Sequence, residues 1–346
     1  RRHTRFRNVT GVQTCALPIF MPLQRLTDCK FRISTLLWMV LAGAMPGGET
    51  LAQVARVEVF PIVTATLTTT EFLTGKVDGK RDTIAGELRI PLPGSNRLPA
   101  VILMHGGGGV SANDDDWAQH FNAMGIATLV LDSFTGRGGS RSSIAALARI
   151  VDAYRALELL ARHPRIDPDR IALMGFSHGS QAALYSSMKR FANRYGPADG
   201  RKFAAHIAFY PGCHVEYLEG RDLTNRPIRI FHGEADDVLS IASCREYVAR
   251  LREAGNDVAL SGYPGAHHSF DNRLRKEPER DQGDSFIRCR VEESPRGQLL
   301  NSDTQQPFNT QDPCVDRGRT LGYHAAAHSQ ALKSVTEFVA ATLKQK

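Results

Sequence analysis

The apolar run Ile171-Ala172-Leu173-Met174 enters Gly175-Phe176-Ser177-His178-Gly179, and Gln181 to Met188 continue as a helix. Strand, G-x-S-x-G turn and helix in that order make a nucleophile elbow, which commits the chain to a buried strand with a helix turning back over it. A serine at so sharp a turn stands clear of the sheet, and bulkier residues at 175 and 179 would obstruct the backbone. The helix N-terminus behind Ser177 directs amide N–H groups and positive dipole potential to where an oxyanion would form. Five-residue patterns also occur in ordinary Gly-Ser turns; the flanking strand and helix set this one apart.

The rest of the chain reads as a frame for that turn. Val54 to Leu73 and Thr83 to Pro91 alternate apolar and polar residues, the period of antiparallel strands with one wet face. From Ala100 the pattern becomes short apolar runs separated by helical stretches: Ala100 to Met104, Ile126 to Leu131, Ile171 to Met174, Ala204 to Phe209, Ile228 to Phe231 and Val258 to Tyr263. This predicts an α/β fold, a mostly parallel doubly wound sheet with antiparallel N-terminal strands. Helices are expected over Asp114 to Met124, closed by Gly125, over Ser143 to Arg162, stopped by Pro164, and over His324 to Leu343. Residues 271–323 are polar, turn-rich and aperiodic, an irregular insertion expected to be ordered by its cysteines.

A serine nucleophile needs a base, and the base needs an orienting carboxylate. One later strand runs into His232-Gly233-Glu234-Ala235-Asp236-Asp237, and the next into Gly265-Ala266-His267-His268-Ser269-Phe270. Ser, Asp, His is the chain order of the α/β-hydrolase triad. Together, G-F-S-H-G, H-G-x-x-D and G-A-x-H-x-F resemble the three signature blocks of the dienelactone hydrolase family. Asp132-Ser133-Phe134-x-x-Arg137-Gly138 and Ile166-Asp167-Pro168-x-Arg170-Ile171 resemble further segments of it, over about residues 91–343. The resemblance implies an α/β-hydrolase fold, with Ser177 as nucleophile, Asp236 as orienting acid and His268 as general base. Asp237 and His267, each beside a candidate, are the local rivals.

His105-Gly106-Gly107-Gly108-Gly109 directly after a strand resembles the HGGG motif of esterases. It offers the Gly106 or Gly107 amide, with that of His178, as an oxyanion hole. No lysine follows at P-loop spacing, so nucleotide binding is discounted. The family's namesakes use cysteine where Ser177 stands, which favours ester or lactone cleavage through an acyl-enzyme over dienelactone itself. Arg137 is a candidate for binding a substrate carboxylate, with a structural ion pair as the alternative. His105, His178, His214 and His232 border strand ends, but H-E-x-x-H and zinc-finger spacings are absent, and neither a cofactor nor a catalytic metal is expected.

The formal charge of +7 does not point to nucleic acid, because residues 1–52 carry seven Lys/Arg against Asp28 and Glu49, leaving a net of +2 for the remainder. Within that leader, Arg25, Lys30 and Arg32 precede an apolar run, Ile33 to Met45, with Thr50-Leu51-Ala52 as a cleavage site. The expectation is a signal peptide over 21–52, a non-native adapter-like stretch over 1–20, and one exported hydrolase domain over 53–346 without a stable membrane anchor. Cys213, Cys244, Cys289 and Cys314 then remain, with Cys213–Cys244 and Cys289–Cys314 as the expected disulfides. Two other functions use the same scaffold: a peptidase of the prolyl-oligopeptidase type, and a catalytically silent binding protein.

Overall fold

The computed structural model describes residues 54–343; the expected leader and signal peptide lie outside the described residues. The strands are β1 (Arg56–Thr66), β2 (Lys80–Ile90), β3 (Leu98–Met104), β4 (Ala127–Asp132), β5 (Ile166–Phe176), β6 (His206–Phe209), β7 (Val215–Glu216), β8 (Ile228–Gly233) and β9 (Val258–Tyr263). All but β7 form an eight-stranded sheet in the order β1-β2-β4-β3-β5-β6-β8-β9. The β1–β2 and β2–β4 pairings are antiparallel and the rest are parallel, the α/β-hydrolase arrangement.

Seven α-helices accompany the strands among the described residues: α1 (Thr69–Leu73), α2 (Ala112–Ala123), α3 (Ala148–Arg162), α4 (His178–Tyr185), α5 (Lys189–Tyr195), α6 (Ile241–Glu253) and α7 (Ala325–Leu343). The continuous apolar run in β3 follows from burial on both faces. Ala100, Ile102 and Met104 pack in a core with α3, α4 and α6, whereas Val101 and Leu103 join Trp117, Phe121, Val335 and Val339 of α2 and α7. Among the described residues no helix is long and apolar enough to cross a membrane.

Three expectations are corrected. The strand read over 54–73 ends at Thr66, because Thr68 and Glu71 form a reciprocal capping box that starts α1. The helix expected from Ser143 begins at Ala148: the Ser143 hydroxyl accepts from the Ser140 amide (3.0 Å) and donates to the Ser140 carbonyl (3.2 Å), holding a turn. Residues 271–323 are not structureless. They carry β10 (Glu279–Ser285), β11 (Val291–Glu293), β12 (Leu299–Asn301) and β13 (Asp316–Leu321). β10 pairs with β13, and β12-β11-β7 form a second small sheet. Disulfides join Cys213 to Cys244 and Cys289 to Cys314.

Candidate active site

Ser177 sits between β5 and α4 with φ 49° and ψ −112°, a strained backbone for a non-glycine residue. Its amide donates to the Phe209 carbonyl on the neighbouring strand (3.0 Å), which holds the turn in place. Two glycines make it possible. A Cβ on Gly175 would run into the backbone of Gly179, and one on Gly179 into the carbonyls of Met104 and His105.

The ends of β8 and β9 bring two more side chains to this turn. His268 Nδ1 donates to Asp236 Oδ2 (2.8 Å), and in that tautomer Nε2 accepts from Ser177 Oγ (2.8 Å). Asp236 Oδ1 accepts the amides of Val238 (2.9 Å) and Leu239 (3.0 Å), which fixes the carboxylate plane. Burial opposes ionisation of Asp236, but the charge and hydrogen bond of His268, the adjacent His232 and the Leu239 amide outweigh it. Its pKa lies below the usual carboxylate value. The rivals are placed elsewhere. Asp237 accepts from the Thr320 amide (2.6 Å), the Thr320 hydroxyl (2.8 Å) and Arg280 (3.0 Å), while His267 Nδ1 is buried without a hydrogen-bond partner.

The glycine loop lies over the elbow, where a Cβ on Gly106 would come 3.9 Å from Ser177 Cβ. Its peptides are pinned by their carbonyls. His105 is fully buried; its Nε2 accepts from the Ser133 amide (3.2 Å), leaving Nδ1 to donate to the Gly106 carbonyl (2.7 Å). A trans peptide points its N–H opposite to its C=O, so this bond orients the Gly107 amide. Burial, then the charge of Arg149, lowers the His105 pKa to about 3, so the ring is neutral and keeps this pattern.

Arg137 is not free to bind a substrate. Its guanidinium forms a fork with Asp152 (2.7 Å on each arm) and donates to the Ser133 carbonyl (2.8 Å) and the Thr66 hydroxyl (2.5 Å). Its side chain is only 2% exposed and that of Asp152 is fully buried, so the pair is structural.

Several residues behind the site escaped the sequence reading. Asp271, fully buried three residues after His268, accepts from the Tyr210 hydroxyl (2.8 Å), the Trp117 indole (2.9 Å) and the Asn113 amide (3.2 Å). The Tyr210 ring packs 4.5 Å from that of His268. The insertion braces the same loop, for Leu321 bridges His268 and the Gly322 amide donates to the His268 carbonyl (3.1 Å). The short H-S-F-D stretch offered no signal of this network. Among the described residues no group of three or more His, Cys, Asp or Glu is arranged to hold a metal ion.

The model of the dienelactone hydrolase family matches residues 87–343, well over half of the chain. An uncharacterized protein of Mycobacterium tuberculosis is 24% identical over 181 residues. The match covers 49% of this chain and 63% of that protein, so the chain spans less than two thirds of this relative. A solved structure from Klebsiella pneumoniae, described as a candidate dienelactone hydrolase, is similar with a TM-score of 0.52 at 14% identity. It is matched over 84% of this chain and 100% of that one. A dienelactone hydrolase-like promiscuous phosphotriesterase from metagenomic libraries is similar with a TM-score of 0.52 at 15% identity, over 83% of this chain and 98% of that one. These structural likenesses speak to the fold.

Proposed function

This chain belongs to the dienelactone hydrolase family, and on that footing we propose that it cleaves carboxylic esters or lactones through an acyl-enzyme formed on Ser177. The observation that carries this reading is the continuous relay Ser177–His268–Asp236, with 2.8 Å at each step. His268 Nε2 takes the hydroxyl proton as Ser177 Oγ attacks the substrate carbonyl, and Asp236 stabilises the imidazolium that results. The tetrahedral oxyanion rests on the amides of His178 and of Gly106 or Gly107. His268 then returns the proton to the leaving alcohol. Water attacks the acyl-enzyme with His268 again as base, and Ser177 is regenerated.

Export is part of the reading, and the two disulfides support it, because such bonds persist in oxidising compartments. The deciding experiment is a substrate panel of nitrophenyl esters, lactones, a peptide anilide and a phosphotriester. Turnover of esters or lactones that vanishes in Ser177→Ala is the expected result. Wild-type activity in that variant would overturn the assignment, and preference for the anilide would turn it toward a peptidase.

A further inference from the structure

Among the described residues Arg149 of α3 is the one fully buried arginine, it touches the elements flanking Ser177, and the mechanism above does not use it. It is 0% exposed. Its Nη2 donates to the His105 carbonyl (2.9 Å), its Nη1 donates to His178 Nδ1 (3.1 Å), and its guanidinium lies 5.1 Å from the centre of the Phe134 ring. Nε has no hydrogen-bond partner. Among the described residues no carboxylate comes within ion-pair distance. The nearby acids are committed elsewhere: Asp152 to Arg137 and Thr64, Asp114 to the Ser111 cap, and Asp132 to the amides of Phe134 and Thr135. The positive groups facing the same region are Arg137 and Arg141.

Burying a guanidinium without an adjacent carboxylate is costly, and an apolar side chain would fill the space more cheaply. The position of the two hydrogen bonds supplies a reason for keeping it. His105 C=O and Gly106 N–H belong to one trans peptide, so a donor holding that carbonyl sends the Gly106 amide the opposite way. His178 is the residue after the nucleophile, and with Nδ1 accepting from Arg149 its ring proton must sit on Nε2.

We propose that Arg149 is the positioning residue of the oxyanion site, aligning the Gly106 peptide and the His178 ring while its unpaired charge favours negative charge in front of Ser177. The proposal rests on the serine-hydrolase reading for its kinetic consequence, but its geometric half does not.

Arg149→Gln keeps a donor and removes the charge; Arg149→Lys keeps the charge and removes the fork. With a nitrophenyl ester, Arg149→Gln should lose about 100-fold in kcat while KM stays within about threefold. The affinity of a trifluoromethyl ketone, which forms an oxyanion adduct on serine, should fall by a similar factor. Arg149→Lys should recover part of both losses. A folded Arg149→Gln with kcat within threefold of wild type, or with its loss confined to KM, overturns the proposal. Nitrogen NMR on histidine-labelled wild-type protein, with His178 assigned by its loss in His178→Gln, tests the geometry even if the Arg149 variants do not fold. An Nδ1 that stays an unprotonated acceptor from pH 5 to 8 supports it, and a protonated Nδ1 overturns it. A wild type that turns over no ester refutes the hydrolase reading instead, and the NMR result still decides the Arg149 contact.

Discussion

His268 places Nε2 2.8 Å from Ser177 Oγ across 91 residues of chain, while its other ring nitrogen is held at the same distance by Asp236. Removing the carboxylate should leave the serine in place but free the imidazole to adopt the wrong tautomer. Asp236→Asn is therefore expected to lower kcat by about 10³–10⁴-fold with little change in KM. Steady-state kinetics beside fluorophosphonate labelling of Ser177 will show it; a loss below tenfold would remove Asp236 from the relay.

The Arg137–Asp152 pair yields the opposite expectation. Arg137→Ala strands a fully buried carboxylate and should cost about 3–5 kcal/mol of stability, read as a lower urea midpoint. KM for an ester bearing a carboxylate should stay within about twofold of wild type, because this guanidinium is buried and committed to Asp152, Ser133 and Thr66.

Asp271 offers a test of how the His268 loop is held. Asp271→Ala leaves the Tyr210 hydroxyl, the Trp117 indole and the Asn113 amide without their shared acceptor. The expected cost is about 3 kcal/mol or more, together with a lower kcat as the His268 loop loosens. Hydrogen exchange confined to residues near 268 would locate the loosening, and unchanged exchange there would refute it.

Stability should fall on acidification. Burial is the first cause lowering the pKa of His105 to about 3 and those of His206 and His214 to about 4, from an ordinary value of 6.5. Between about pH 6.5 and 4 the unfolded chain binds protons that these rings refuse, so stability is lost as pH falls through that window. Burial raises Asp114 to about 6, which acts in the opposite sense between about pH 4 and 6 and offsets one histidine's share. The net loss is on the order of several kcal/mol, read as the shift in urea midpoint between pH 7 and 4.5. An unchanged midpoint would show that these histidines are not buried as neutral rings.

Both disulfides close short loops, with sequence separations of 31 and 25 residues. Replacing either pair by alanine should cost about 3–4 kcal/mol on the chain-entropy model. Thermal unfolding of Cys289→Ala/Cys314→Ala measures it, and a melting temperature within 1 °C or so of wild type would contradict it.

Much of the site was legible because its residues sit in short blocks at strand ends. Asp236 lies three residues past the end of β8, and His268 five past β9. The supporting network was not, because its contacts join Asp271 to positions 61 and 154 residues away. Arg149 is instructive. On an amphipathic helix a charged residue reads as solvated, yet Arg149 is fully buried, with its guanidinium against the His105 carbonyl, His178 and the Phe134 ring. β10 to β13 escaped notice because strands such as Glu279–Ser285 bury little apolar surface and so carry no alternating pattern.

Local chemistry therefore wrote the elbow, the order of the strands' apolar runs and the identity of the three relay side chains, since each depends on neighbours within a few positions. Packing set Asp236 rather than Asp237 against His268, paired Arg137 with Asp152, and buried Arg149 against the His105 carbonyl. Those outcomes turn on which polar groups meet across distant segments, and a hydrogen bond's partner is set by three-dimensional proximity that no stretch of chain contains on its own.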